Sequence, residues 1–241
     1  MSKPITFVLL VTDMSGSMGR LADDVRGGFN SYVAGLREDT DREYRLSVTL
    51  FDDEFMPLCT AAPLAEVPTL DAANYRPRGM TALLDAVGKT ILGFDTSTLG
   101  GQDRVLVVVQ TDGAENSSKE FRSADIADLI RQREATGQWS FVFLGAGPET
   151  WQQAHAMGFD RASTVAMDSS AHTTRGSYSG LTTATRSYSR GGSAADTVAT
   201  LAAATGGHTV AADSSSPSDC SPSTTSYDTG SASSGCDAGS Y

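Results

Sequence analysis

The sequence has few cysteines and no long apolar run. Three cysteines occur among 241 residues, at positions 59, 220 and 236, and this odd, widely spaced set indicates neither a disulfide framework nor a zinc site. The apolar run at residues 5–11 is too short to span a bilayer and lacks the small-residue cleavage site of a secretory signal. We therefore expect a soluble, cytoplasmic protein.

Positive charge is also scarce. Lys and Arg number 18 against 29 Asp and Glu, so the formal net charge is −11. A chain of this charge repels the phosphates of nucleic acids and of anionic membranes, and we expect neither as a partner. It is better suited to binding a cation. Hydrophobic residues make up 39% of the chain, which is enough for one core and leaves little for a second.

Apolar runs alternate with amphipathic stretches through residues 1–192. The patterns predict strands at 5–11, 46–50, 55–61, 105–109, 141–144 and 163–167. They predict helices at 21–36, 81–94, 126–130, 147–158 and 178–188. Ser47 and Thr49 interrupt the apolar residues of the second strand, which favours a strand covered mainly on one side. The order of elements predicts a doubly wound α/β domain with a mostly parallel, Rossmann-like sheet and helices on both faces.

The composition changes after about Gly192. Residues 193–212 fit a further alanine-rich helix with a linker. Residues 213–241 contain no Lys, Arg, Leu, Ile, Val or Phe, and Ser, Thr and Gly dominate there with scattered Asp. Such a segment buries too little apolar surface to offset its ordering entropy, so we predict a disordered, acidic tail.

Oxygen-bearing side chains follow the predicted strands at the points where this kind of fold binds ligands. Asp13, Ser15 and Ser17 follow the first strand, and Asp112 follows the strand at 105–109 in the triplet Thr-Asp-Gly. Thr81 opens the helix at 81–94. We expect these loops to meet at one edge of the sheet, where two carboxylates and three hydroxyls would form a hard-oxygen site suited to Mg²⁺ or Mn²⁺. Taken alone, segment 13–17 is also typical of a helix N-cap.

These three loops resemble the metal-ion-dependent adhesion site (MIDAS) of von Willebrand factor A (vWA) domains. The resemblance rests on Asp-x-Ser-x-Ser, the Thr before a helix and Thr-Asp-Gly, covers roughly residues 4–192, and is greatest to stand-alone bacterial and phage-borne members. It implies that Ser15, Ser17 and Thr81 coordinate the ion, with Asp13 and Asp112 acting directly or through water. It also implies that an acidic residue of a partner protein fills the remaining position.

One loop differs from the family pattern. The residues before the threonine are Arg78-Gly79-Met80, where the family often has a Gly-rich lead-in. Arg78 and Met80 would lie where a partner approaches, so this difference concerns the choice of partner.

Other functions remain as alternatives. A metal-dependent phosphatase or hydrolase using Asp13 would need a second carboxylate two residues later, where Ser15 stands. No Gly-x-Ser-x-Gly elbow occurs, and His155, His172 and His208 lie outside the three loops. We therefore expect a binding module and no enzyme. A scaffold subunit of an ATPase, chelatase-like or stress-response complex would share the same metal site.

The acidic run Asp52-Asp53-Glu54 has two interpretations. It could form a second cation site, but a solvated turn between two strands is the favoured interpretation.

Overall fold

The computed structural model describes residues 3–146, 150–167, 170–205 and 208–209. By contacts between residues, the chain divides into a first unit, Met1–Ala211, and a second unit, Ala212–Tyr241. The second unit lies outside the described residues, as do the predicted tail at 213–241 and the predicted helix opening at 147–149.

Strands and helices alternate along the first unit. The strands are β1 (Ile5–Asp13), β2 (Glu43–Phe51), β3 (Phe55–Pro63), β4 (Arg104–Thr111), β5 (Trp139–Ala146), β6 (Thr164–Met167) and β7 (His208–Thr209). The helices are α1 (Ala22–Arg37), α2 (Leu83–Gly93), α3 (Ser123–Glu134), α4 (Thr150–Ala156), α5 (Ala171–Ser189) and α6 (Ala194–Thr205). None of the helices within the described ranges is both long enough and apolar enough to cross a bilayer.

The described strands form one sheet in the order β3-β2-β1-β4-β5-β6-β7. The pairs from β2 through β1, β4 and β5 to β6 are parallel, whereas β3 and β7 run antiparallel at the two edges. The doubly wound α/β fold predicted from the sequence is confirmed. The order of the strands reverses beside β1, so the carboxyl ends of β1 and β4 form the switch point at which such sheets bind ligands.

Two hydrophobic cores lie on opposite faces of the sheet. Val8 and Leu10 of β1 belong to the core formed with α1, α5 and α6. Phe7, Leu9 and Val11 belong to the core formed with α2, α3 and α4. Successive side chains of a strand point to opposite faces, so a strand covered on both sides is apolar throughout.

Strand β2 is also covered on both faces, so the prediction of a one-sided strand was wrong. Ser47 and Thr49 are both buried. The Ser47 hydroxyl accepts a hydrogen bond from the Ala61 amide at 2.9 Å. The Thr49 hydroxyl accepts one from the Thr90 hydroxyl of α2 at 3.1 Å. These bonds satisfy the buried hydroxyls, which is why polar residues are tolerated there.

Helix α6 coincides with the alanine-rich stretch after Gly192. Its Val198 and Leu201 are buried in the same core as α5. Gly158, two residues after the end of α4, adopts a φ of +88°, as expected for a glycine that ends a helix.

Candidate metal centre

The three loops singled out in the sequence meet at the carboxyl ends of β1 and β4. Asp13 is the last residue of β1 and Asp112 follows β4. The hydroxyl oxygens of Ser15 and Ser17 lie 3.1 Å apart. The Ser17 hydroxyl donates to Oδ1 of Asp112 at 2.5 Å. The loops after β1 and β4 are therefore in direct contact through their oxygen-bearing side chains.

Gly113 lies where these side chains converge. A Cβ atom built on Gly113 would lie 3.1 Å from Oγ1 of Thr81, 3.4 Å from Oγ of Ser17 and 3.7 Å from Oδ2 of Asp13. Three oxygens from three loops thus surround one small space, which a residue without a side chain leaves open. Ser15 and Asp112 both contact Ser17, so all five residues predicted from the sequence belong to one cluster.

The Asp13 carboxylate is fully buried. Its Oδ1 accepts the Ser15 amide at 2.6 Å, and its Oδ2 accepts the Thr111 hydroxyl at 2.5 Å. Burial raises the pKa of Asp13 to about 6, although the bonds from Thr111 and Ser15 act to lower it. Within the part of the chain that the structure describes, no lysine or arginine pairs with Asp13. A buried carboxylate without a counter-ion fits a site that holds a cation.

The Asp112 carboxylate has a cationic neighbour. Nη2 of Arg20 lies 3.4 Å from Oδ2 of Asp112. The side chain of Asp112 is 3% exposed and that of Arg20 is 59% exposed. Arg20 thus lies over Asp112 at the surface of the centre.

The end of β1 is held by the segment that leads to Thr81. The buried Tyr75 donates its hydroxyl to the backbone carbonyl of Asp13 at 2.7 Å. The Arg78 amide donates to the carbonyl of Met14 at 2.9 Å. The loop before Thr81 therefore lies along the loop after β1, which brings its threonine to the centre.

Gly79 allows the close passage of this loop. It adopts a φ of +65°, and a Cβ there would lie 1.9 Å from Oδ1 of Asp53. Its carbonyl accepts the Gly16 amide at 3.3 Å, between the two serines. The next residue, Met80, is 55% exposed. A side chain here would strain the backbone and clash with the Asp53 carboxylate, so glycine is favoured, and an apolar side chain follows it at the surface.

The acidic run after β2 is structural. Asp52 is fully buried, and its carboxylate accepts the Glu54 amide at 2.7 Å and Nε of Arg78 at 2.8 Å. Nη2 of Arg78 lies 2.7 Å from Oε2 of Glu54. The favoured interpretation as a solvated turn was thus wrong for Asp52. The cation at this run is the guanidinium of Arg78. Its contacts with Asp52 and Glu54 hold the loop that carries Thr81.

Asn116 holds the backbone of Thr81. Its side-chain Oδ1 accepts the Thr81 amide at 2.8 Å, and its backbone amide donates to the Thr81 carbonyl at 3.1 Å. Thr81 is 3% exposed. Asn116 follows Thr-Asp-Gly by only three residues, and this proximity is the signal that could have suggested it.

The loop after β4 is also fastened to the start of α2. Helix α2 has no side-chain cap from its own N-cap residue, and Oε2 of Glu115 accepts the Leu84 amide at 3.0 Å instead. In return, the Asp85 carboxylate accepts the amides of residues 119, 120 and 121 at 2.9, 2.9 and 3.0 Å. Partial burial raises the pKa of Asp85, but these three amides lower it overall.

Gln153 of α4 connects a third element to the same loop. Its Oε1 accepts the Glu115 amide at 2.7 Å, and its Nε2 donates to the Gly113 carbonyl at 3.2 Å. Nothing in the sequence around Gln153 indicates this role, because the contact arises only when α4 folds back beside the carboxyl end of β4.

The side chains of this centre supply more hydroxyls than carboxylates. In the described ranges, no group of three or more His, Cys, Asp or Glu side chains is arranged to hold a metal ion. The five residues around Gly113 offer two carboxylates and three hydroxyls. Such hard oxygen donors suit Mg²⁺ and Mn²⁺.

Comparisons with known proteins identify the fold. No protein-family model matches the sequence, and no curated protein matches it. Solved structures do match. A von Willebrand factor type A structure from Catenulispora acidiphila has a TM-score of 0.52 at 16% identity, covering 76% of this chain and 43% of that chain. The vWF domain of the type V pili tip protein Mfa5 from Porphyromonas gingivalis has a TM-score of 0.52 at 10% identity, covering 79% and 95%.

A third matching structure contains a metal. The manganese-loaded TRAP protein from Plasmodium vivax has a TM-score of 0.51 at 18% identity, covering 69% of each chain. The chain described here thus has the fold of a von Willebrand factor A domain. It spans less than half the length of the Catenulispora chain.

Proposed function

We propose that this chain is a divalent-metal-dependent protein-binding module. Ser15, Ser17 and Thr81 would hold Mg²⁺ or Mn²⁺ through their hydroxyls, and Asp13 and Asp112 through their carboxylates. The ion would capture an acidic side chain of a partner protein. The observation that carries the proposal is the convergence of oxygens from three loops around the space that Gly113 leaves open.

The chemistry of these donors supports capture of a carboxylate. Three of the five donors are neutral hydroxyls, so the ion would keep more of its positive charge than in a cage of carboxylates. That charge would attract a further carboxylate from outside the chain. A bound ion would supply the electrophilic position, and the five surrounding residues would fix where that position lies. The exposed Met80 beside Thr81 would contribute to the choice of partner.

The same residues favour binding over catalysis. The Asp13 carboxylate is fully buried and accepts a hydrogen bond on each oxygen, from the Ser15 amide and the Thr111 hydroxyl, so it is poorly placed to attack a substrate. His155 is exposed and stacks on Trp151 of α4, with 5.0 Å between the ring centroids. The structural match to a pilus tip protein, Mfa5, is also in keeping with a binding role.

Affinity capture with the purified protein tests this proposal. We expect partners that are retained in Mg²⁺ and released by EDTA, and that Thr81→Ala fails to retain. Thr96→Ala is the control for the change from threonine to alanine, since Thr96 is exposed and lies just after the end of α2 that is away from the candidate metal centre. Partners retained equally in Mg²⁺ and in EDTA would contradict the proposal.

A further inference from the structure

We propose that Arg20 competes with the divalent ion for the carboxylate of Asp112, and that it thereby sets the metal affinity of the centre. This inference rests on the proposed function, because it presupposes that an ion binds there. It concerns a residue outside the five proposed ligands.

Arg20 is placed for this role by the local fold. It belongs to the short 3-10 helix Gly16–Leu21, which also contains Ser17. Its Nη2 faces Oδ2 of Asp112, while Oδ1 of the same carboxylate accepts the Ser17 hydroxyl. Both oxygens of Asp112 are thus engaged, one by the Ser17 hydroxyl and the other by the guanidinium of Arg20.

The contact is of a kind that an ion can displace. Its length is 3.4 Å, and the arginine side chain is 59% exposed. An ion pair of this length and exposure contributes little to stability, so its loss costs the fold little. Arg78 differs, because two contacts of 2.8 and 2.7 Å hold it to Asp52 and Glu54.

The charges of the centre give the direction of the effect. Asp13 and Asp112 carry two negative charges, and the guanidinium offsets one of them. A divalent ion that binds beside Asp112 must displace this guanidinium or bind against its repulsion. At a separation of about 6 Å in water, charges of +1 and +2 repel by an amount equivalent to about tenfold in affinity.

The experiment measures Mg²⁺ alone, by isothermal titration calorimetry at low ionic strength. We expect Arg20→Ala to bind Mg²⁺ about tenfold more tightly than the wild type. Arg20→Lys, which retains the charge, should stay within about twofold of the wild type. The advantage of Arg20→Ala should shrink in high salt, because exposed charges are screened.

Arg131→Ala is the matched control. Arg131 is an exposed arginine in the last turn of α3, and it forms an ion pair with Asp128. Helix α3 runs back from the carboxyl end of β4, so its last turn lies away from the metal centre. This variant removes the same formal charge, and its Mg²⁺ affinity should equal that of the wild type.

The outcomes separate the inference from the proposed function. If the wild type binds Mg²⁺ and Arg20→Ala binds it equally or more weakly, the inference is overturned while the metal centre stands. An equal gain in Arg131→Ala, or in Arg20→Lys, would also overturn it, because the effect would then not come from the charge at Arg20. If neither the wild type nor Arg20→Ala binds Mg²⁺, the proposed function and the inference both fail.

Discussion

Asn116 forms two hydrogen bonds with the backbone of Thr81. Its side-chain Oδ1 accepts the Thr81 amide at 2.8 Å, and its backbone amide donates to the Thr81 carbonyl at 3.1 Å. These two residues lie 35 positions apart, one before α2 and the other after β4. The pair therefore fixes the loop of the candidate threonine ligand against the loop of Asp112.

Asn116→Ala should weaken metal binding through this pair. The Thr81 amide loses its acceptor, at a cost of about 1 kcal/mol in the free energy of unfolding. Loss of such a supporting contact typically lowers metal affinity by about 10- to 100-fold. Calorimetric titration with Mg²⁺ and thermal unfolding of the same variant measure the two effects.

Asn30→Ala provides the matched control. The side chain of Asn30 also holds a distant backbone, accepting the Leu70 amide and donating to the Leu70 carbonyl, both at 2.9 Å. Asn30→Ala removes two side-chain hydrogen bonds and Asn116→Ala removes one, so we expect at least as large a loss of stability with no loss of Mg²⁺ affinity. Equal losses of affinity in both variants would show that Asn116 acts only through overall stability.

Gly113→Ala should fill the space between the candidate ligands. The added Cβ would lie 3.1 Å from Oγ1 of Thr81, which is too close for the present arrangement of oxygens. We expect a folded protein whose Mg²⁺ affinity falls about tenfold or more. In the control Gly101→Ala, the added Cβ meets nothing within 4 Å. Unchanged affinity in Gly113→Ala would mean that the ion does not bind beside this glycine.

Asp85→Asn should change how stability depends on pH. The folded protein lowers the pKa of Asp85 below its ordinary value of 3.8, so the ionised form stabilises the fold. This contribution is complete above the pKa of the unfolded chain and is lost as the pH falls through the folded value. The free energy of unfolding of the wild type should therefore exceed that of the variant by about 2 kcal/mol at neutral pH.

Urea unfolding between neutral pH and about pH 3 measures this difference. The two proteins should converge as the pH falls below about 4. A difference that stays constant over this range would show that the ionisation of Asp85 does not fasten α2 to the loop after β4.

The fold and the candidate ligands could both be predicted because their signals are local. Alternating apolar runs and helical stripes indicate a doubly wound sheet. Asp13, Ser15 and Ser17 form a short motif at the end of one strand. The parallel pairing of β1 with β4, which the fold class implies, then brings Asp112 to the same edge.

The supporting contacts could not be predicted, because each joins residues far apart in the chain. The Thr111 hydroxyl reaches Asp13 only through the register of β1 and β4, and Gln153 reaches Gly113 only through the return of α4. The burial of Thr49 likewise depends on α2, whose Thr90 supplies its hydrogen bond. Sequence patterns indicate which face a residue occupies but not which distant group satisfies it.

The dependence of thermal stability on Mg²⁺, compared between the wild type and Asp13→Ala, tests the metal centre most directly. At one hundred times its dissociation constant, an ion that binds only the folded protein stabilises it by about 2.7 kcal/mol. Asp128→Ala, which removes an exposed aspartate of α3, serves as the control. The account predicts a rise in melting temperature with Mg²⁺ for the wild type and the control, and none for Asp13→Ala. No rise in the wild type, or an equal rise in Asp13→Ala, would contradict it.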